Sequence, residues 1–271
     1  MARTTIGVFD SGFGGLTVLR ALLTALPDAH FVYLGDTARL PYGAKSQATI
    51  ARYAVESARF LEEHGAERLV IACNTASALA LADIVDSVGV PVTGVIAPGA
   101  ASAKAAAGGA QDVLVLATAA TVQSGAYRRA CAEVGLRAYE KACPLLVPLV
   151  EEGWTAHPVT RDVLRIYLGE ALAAMQDKGR PPSAVLLGCT HYPLIADEIR
   201  SMLRELGSQA AVVDSAQAVA AAVAANVAGP PSDAAAGFEC FATDSVEKFA
   251  RLGSLFLQQP IERVELVDLG G

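Results

Sequence analysis

Short runs of consecutive apolar residues recur along the chain and alternate with longer stretches of helical spacing. Ile6–Asp10, Phe31–Gly35 and Arg68–Ala72 read as the first three strands, since short apolar runs bounded by turn residues suit a buried strand better than a helix. Val92–Val95, Asp112–Ala117, Ala184–Gly188, Ala210–Val213, Phe238–Ala242 and Arg263–Val267 follow the same pattern. The apolar run Leu145–Val150 reads as another strand, leading into Glu151. Helical spacing predicts Leu16–Leu26, stopped by Pro27, and Gln47–His64, closed by Gly65. It predicts further helices over Ala76–Val88, Ala97–Gly109, Val122–Val134, Val159–Gln176, Leu194–Leu206, Ala216–Val227 and Val246–Leu257. Gly229–Asp233, rich in Gly and Pro, reads as a loop.

Strands that alternate with helices, and that are apolar almost throughout, belong to parallel sheets covered on both faces. The fold class is therefore α/β with mainly parallel sheets. One arrangement occurs twice. Arg68–Ala72 runs into Cys73-Asn74-Thr75 and then a helical pattern; Ala184–Gly188 runs into Cys189-Thr190-His191 and a helical pattern from Pro193. The repetition predicts two similar α/β domains. The second covers residues 98–214, and the first comprises 1–97 with 215–271 returning to it. The distinctive residues cluster at carboxyl ends of strands, where open α/β sheets bind ligands.

The chain's 271 residues, 53% of them apolar, suffice for one large domain or two medium ones. A net charge of −7 is a poor match for a phosphate backbone, so no direct nucleic-acid partner is expected. The start shows no signal-peptide pattern, and no apolar run approaches membrane-spanning length, so no membrane partner and a cytoplasmic location are expected. Five cysteines without CxxC spacing argue against a disulfide framework or a structural zinc site and for free thiols. No lysine context suggests a pyridoxal phosphate Schiff base and no ligand cluster suggests a metal, so no cofactor is expected.

Free cysteine is often only a small buried hydrophobe, and that reading holds for Cys131, Cys143 and Cys240. Cys73 and Cys189 differ. Each is placed where a strand hands over to a helix, where backbone N–H groups and the helix dipole favour a thiolate, and each is followed by hydrogen-bonding residues. They read as a pair of acid/base thiols facing each other across one substrate. Asp10 and Ser11 precede a glycine-rich turn and either cap a helix or hold a substrate carboxylate with the turn amides. The same turn offers a rival reading, a dinucleotide fold. Gly12-Phe13-Gly14 matches half of the GxGxxG pattern and Asp36 stands where a ribose-binding acid would, but position 17 is Thr. His191, beside a proposed thiol, is a candidate to assist proton transfer, unlike His30, His64 and His157. Glu151 and Glu152 are either a solvated acid pair or functional. Tyr42-Gly43 forms a turn whose amides can meet a ligand, and Thr118 and Thr121 either cap a helix or hold an anion.

Together these stretches resemble the cofactor-independent glutamate racemases of the aspartate/glutamate racemase superfamily. The resemblance rests on Gly7–Val18, Gly35-Asp36-Thr37 with Pro41-Tyr42-Gly43, Ala72–Ser77, Val147–Glu151 and Gly188–Pro193, in the family's order across nearly the whole chain. It implies interconversion of L- and D-glutamate, which supplies D-glutamate for peptidoglycan. It also implies two pseudo-twofold-related α/β domains with the active site between them, and a homodimer. Carried over by position, Cys73 and Cys189 are the acid/base residues and Asp10, Glu151 and His191 assist them. Asp10, Ser11, Tyr42, Gly43, Asn74, Thr75, Thr190 and His191 line the glutamate, and Thr118 and Thr121 are further candidates to bind it. Other readings are the dinucleotide-dependent oxidoreductase, a non-catalytic binder of acidic amino acids, and a related racemase acting on aspartate.

Overall fold

The apolar runs form parallel sheets because almost every residue in them is covered from both faces: Ile6 to Asp10 and Ala184 to Gly188 are buried without interruption. The computed structural model describes residues 3–227 and 237–270; the predicted Gly229–Asp233 loop lies outside the described residues. The chain forms two compact units, Met1–Val95 with Ala216–Gly271, and Ile96–Ser215.

The first unit holds strands β1 (Thr5–Asp10), β2 (His30–Gly35), β3 (Arg68–Ile71), β4 (Val92–Gly94), β9 (Gly237–Ala242) and β10 (Glu265–Leu266) in the order β10-β9-β2-β1-β3-β4. All its pairings are parallel, with Asp10 opposite Gly35 and Phe9 opposite Ile71. Its helices are α1 (Leu16–Ala25), α2 (Gln47–Glu63), α3 (Asn74–Leu79), α4 (Leu81–Ser87), α11 (Ala216–Ala224) and α12 (Val246–Leu257). Helix α2 starts where the Ser46 side chain accepts from the Thr49 amide at 3.4 Å. Its buried stripe of Ile50, Ala54, Ala58 and Leu61 packs into one core with Phe9, Val32, Leu34, Leu69 and Ile71 of the sheet. Helix α1 packs against α11 and α12.

The second unit holds β5 (Asp112–Ala117), β6 (Arg137–Ala142), β7 (Ala184–Gly188) and β8 (Ala211–Asp214) in the order β6-β5-β7-β8, again all parallel. Its helices are α5 (Ile96–Ala106), α6 (Ala119–Ser124), α7 (Ala126–Glu133), α8 (Leu146–Glu151), α9 (Pro158–Gln176) and α10 (Ala196–Glu205). The two units share a winding. In each, the first strand has the second on one side and the third on the other, so the strand order reverses between first and third. That switch point is where an open α/β sheet leaves a crevice at its carboxyl ends.

Five points differ from expectation. The apolar run Leu145–Val150 is not a strand but helix α8, since apolarity alone cannot tell a short buried helix from a strand. Strand β6 gave no apolar signal because it is an edge strand with charged Arg137, Glu140 and Lys141. The predicted Ala76–Val88 helix breaks at Ala80, and the predicted Val122–Val134 helix at Gly125, whose left-handed backbone (φ 62°) ends α6. The helix expected from Leu194 begins at Ala196. A 3-10 turn over Tyr192–Ile195 precedes it, with Pro193 supplying no backbone donor.

Candidate active site

In the first unit the switch point lies between β1 and β3. Asp10 ends β1 fully buried, and its Oδ2 accepts from the Gly12 amide at 3.0 Å, which folds the Ser11–Gly15 turn back on the strand. The Tyr33 hydroxyl donates to the Gly12 carbonyl at 3.0 Å and fixes the turn from the neighbouring strand. Gly15 is required by crowding: a Cβ there would lie 2.5 Å from the Asp10 Cβ and 2.9 Å from the Tyr33 hydroxyl oxygen.

Cys73 follows β3 on the other side of the switch point. It is the N-cap of α3, and its sulfur accepts from the Ala76 amide at 3.4 Å. The thiol also reaches the Ser11 hydroxyl at 3.5 Å, so the end of β1 and the end of β3 meet at this sulfur. Burial, and then the Asp10 carboxylate, push the Cys73 thiol up to about 12, against the opposing effect of hydrogen bonds with Ser11 and the Ala76 amide. Cys73 is therefore a thiol, not a thiolate, at neutral pH. Asn74 and Thr75 are buried beside it in the first turn of α3.

Tyr42 and Gly43 lie on a 3-10 turn, Tyr42–Ala44, and the Tyr42 ring belongs to the same core as Cys73. The Tyr42 hydroxyl donates to Asp36, which sequence reasoning considered only as a ribose ligand. Asp36 is buried and its oxygens are taken by Tyr42, Arg39 and Thr243, so it is not poised for a ribose. Arg39, Glu56 and Thr243 were not singled out by sequence. Only the i, i+3 spacing of Asp36 and Arg39 hinted at a pair.

In the second unit the switch point lies between β5 and β7. Cys189 follows β7 with its side chain buried, but it caps no α-helix. The 3-10 turn takes that place, and the support comes from side chains. The Cys189 sulfur lies 3.9 Å from His191 Nδ1, and His191 Nε2 lies 3.1 Å from Glu151 Oε1 at the end of α8. His191 is 4% exposed, so this chain of three groups is nearly dry. Burial alone would pull the imidazole down, but its hydrogen bonds to the Cys189 sulfur and the Glu151 carboxylate outweigh that and lift it to about 10. His191 is then an imidazolium at neutral pH, with one ring nitrogen facing the Cys189 sulfur and the other the Glu151 carboxylate. Glu152 is exposed, so of the two adjacent acids Glu151 is the one that reaches the histidine. Thr190 is buried and its hydroxyl lies 3.5 Å from the same Nδ1. Thr118 directly follows β5 and caps α6, with its hydroxyl 2.9 Å from that of the buried Thr121.

Cys131, Cys143 and Cys240 are buried, and burial pushes their thiols up to about 11, 12 and 12 respectively. Among the described residues no three His, Cys, Asp or Glu side chains group as a metal site, and no helix is long and apolar enough to cross a membrane.

Each unit thus presents one cysteine after the third strand of the same winding, beside a hydroxyl or amide set at the end of the first strand. The sequence profile described as Asp/Glu/Hydantoin racemase matches residues 6–223. A glutamate racemase of Koribacter versatilis is 50% identical, with 99% of each chain covered. The solved structure of Francisella tularensis glutamate racemase in complex with D-glutamate superposes with a TM-score of 0.87 at 32% identity, covering 98% of each chain. That of Thermus thermophilus glutamate racemase in complex with beta-chloro-D-alanine gives 0.84 at 42% identity, again covering 98% of each. With sequence matched across most of its length and fold matched across nearly all of it, the chain belongs to the Asp/Glu/hydantoin racemase family.

Proposed function

We propose that the chain is an isomerase that interconverts L- and D-glutamate without a cofactor, Cys73 and Cys189 acting on opposite faces of the α-carbon. The observation that carries this reading is the duplicated strand-end cysteine, each set among hydrogen-bonding groups at a switch point. Racemisation removes the α-proton from one face and delivers a proton to the other. One cysteine as thiolate takes the proton, becoming a thiol, while the other gives its S–H proton to the α-carbon and becomes a thiolate. The products restore the starting arrangement with the two roles exchanged, so the reverse reaction uses the same groups.

Two features support distinct duties for the two thiols. Cys73 is held as a thiol by burial and by Asp10, which makes it a ready donor. Cys189 lies beside an imidazolium backed by a carboxylate, which stabilises negative charge on its sulfur as that charge develops. Asp10, His191 and Glu151 therefore assist proton transfer. The substrate is anionic, and the residues available to receive it are amide and hydroxyl donors: the Ser11–Gly15 turn, Gly43, Asn74 and Thr75 in one unit, and Thr118, Thr121 and Thr190 in the other. The dicarboxylate of glutamate, rather than a single carboxylate, suits two such donor sets. Supply of D-glutamate for peptidoglycan, a cytoplasmic location and a homodimeric state complete the reading.

The test is incubation with L-glutamate in D2O without added cofactor, following ellipticity and α-deuterium together. Loss of optical activity with deuterium gain at Cα is expected. Binding without exchange would overturn the catalytic reading, and turnover of aspartate but not glutamate would overturn the substrate.

A further inference from the structure

We propose that Arg39 is a positioning residue that holds the Tyr42–Gly43 turn in its substrate-receiving conformation; this rests on the reading of the chain as a glutamate racemase in which that turn meets the substrate. Arg39 is 9% exposed and ends the 3-10 turn Thr37–Arg39 in the loop between β2 and α2. Its Nε donates to Asp36 Oδ1 at 2.9 Å, its Nη1 pairs with Glu56 on α2, and its Cζ lies 4.3 Å from the centroid of the Tyr53 ring. Asp36 passes this constraint on. Its Oδ1 also accepts from the Thr243 hydroxyl at 3.0 Å, while its Oδ2 accepts from the Tyr42 hydroxyl. The Tyr42 ring packs with Phe9 and Tyr53, at centroid distances of 6.1 and 6.2 Å. The start of the loop is tied separately. Thr37 exchanges hydrogen bonds with the backbone of Asp244 at 2.6 and 2.9 Å, and the Ala38 amide donates to Thr243 at 2.9 Å. Arg39 is the residue that joins the strand end, helix α2 and, through Asp36, the Tyr42 hydroxyl.

Stability alone does not explain this choice of side chain. A buried ion pair gains little over an apolar group of the same volume, because desolvation offsets the attraction. What a guanidinium adds is direction. Its Nε and Nη1 point in fixed, different directions, to Asp36 Oδ1 and to Glu56, and leave the second Asp36 oxygen to Tyr42. It also places a positive charge between the Asp36 and Glu56 carboxylates, which lowers the net negative charge of this cluster. Arg39 Nη2 is buried without a hydrogen-bond partner, a cost consistent with a residue placed for geometry rather than for saturation of its donors.

The experiment compares wild type with Arg39→Met, Arg39→Lys, Tyr42→Phe and the Lys/Phe double variant. KM and kcat for both enantiomers of glutamate are measured, and amide hydrogen exchange is followed in the substrate-free proteins. Arg39→Met is expected to raise KM about tenfold with kcat within about threefold, and to speed exchange of the Tyr42–Ser46 amides about tenfold while the β1 and β3 amides are unchanged. Arg39→Lys is expected to raise KM nearly as much, since an ammonium keeps the charge but not the fixed planar geometry that orients Asp36. If Arg39 acts through Tyr42, the double variant is no worse than the poorer single variant. Loss of kcat at unchanged KM, unchanged exchange at Tyr42–Ser46, or additive effects in the double variant would overturn the proposal. If Arg39→Met does not fold, Arg39→Lys, Tyr42→Phe and their combination decide it. Failure of the wild type to racemise glutamate would sink the functional reading instead, while the exchange measurement still tests the positioning role.

Discussion

Glu151→Gln isolates the charge behind His191 while keeping the shape of the contact. The Gln amide oxygen can still accept from His191 Nε2, where the carboxylate now stands 3.1 Å away. What disappears is the negative charge that stabilises the imidazolium. A hydrogen bond to a charged group contributes about 1.5–3 kcal/mol and a neutral one about 1 kcal/mol, so the loss is on the order of 1–2 kcal/mol. Each pH unit corresponds to about 1.4 kcal/mol, so the His191 titration falls by about one pH unit, from about 10 toward 9. The direction is fixed by sign: removing an anion beside a cation disfavours protonation, and burial, which already opposes it, is then less resisted. The assay is proton NMR of the imidazole Cε1–H signals between pH 6 and 11, with the His191 signal assigned through His191→Asn. The high-pH limb of kcat is expected to move down with it, if proton transfer requires the imidazolium. A wild-type His191 that titrates near 6.5, or a titration unmoved by Glu151→Gln, would refute the account of the Cys189–His191–Glu151 chain.

Three further outcomes follow from the same geometry. Cys73→Ser and Cys189→Ser are each expected to lower racemisation by at least about a thousandfold, because a hydroxyl replaces one of the two groups proposed to move the proton; polarimetry of either variant at the wild-type rate contradicts the two-thiol assignment. In the substrate-free protein, alkylation of Cys73 by iodoacetamide, read by mass spectrometry of its peptide, is expected to rise about tenfold per pH unit from pH 8 to 11, since a thiol held near 12 is about one part in ten thousand thiolate at pH 8; a plateau below pH 9 contradicts the effect of burial and Asp10. Gly15→Ala is expected to cost about 2–3 kcal/mol in urea denaturation, as its Cβ would press on Asp10 and Tyr33 at 2.5 and 2.9 Å; a neutral effect would show that the turn yields where the packing says it cannot.

The parts of this molecule that could be read from its sequence are those governed by neighbours close along the chain. Buried parallel strands announce themselves as unbroken apolar runs, which is why β1, β2, β5 and β7 were legible to within a residue or so. Edge strand β6 was not, because one covered face and charged side chains leave no such run. Helix α8 was misread because a six-residue apolar segment has too few turns to show a helical period. The site divides along the same line. Both cysteines stood out because each directly follows its strand. Their surroundings did not, because these come from residues distant in sequence: Ser11 meets Cys73 across 62 positions and Glu151 meets His191 across 40. The motif suggested two equivalent thiols at two helix starts. Only Cys73 caps an α-helix, and the carboxylate beside it, Asp10, opposes a thiolate. Cys189 stands before a 3-10 turn and has a buried imidazolium in place of helix amides. The same three-residue pattern of cysteine, polar residue, polar residue therefore acquires opposite electrostatic settings in the two units. The proposed racemisation, which would run in both directions through two chemically identical thiols, is served by this difference: one sulfur holds its proton and the other has a cation beside it.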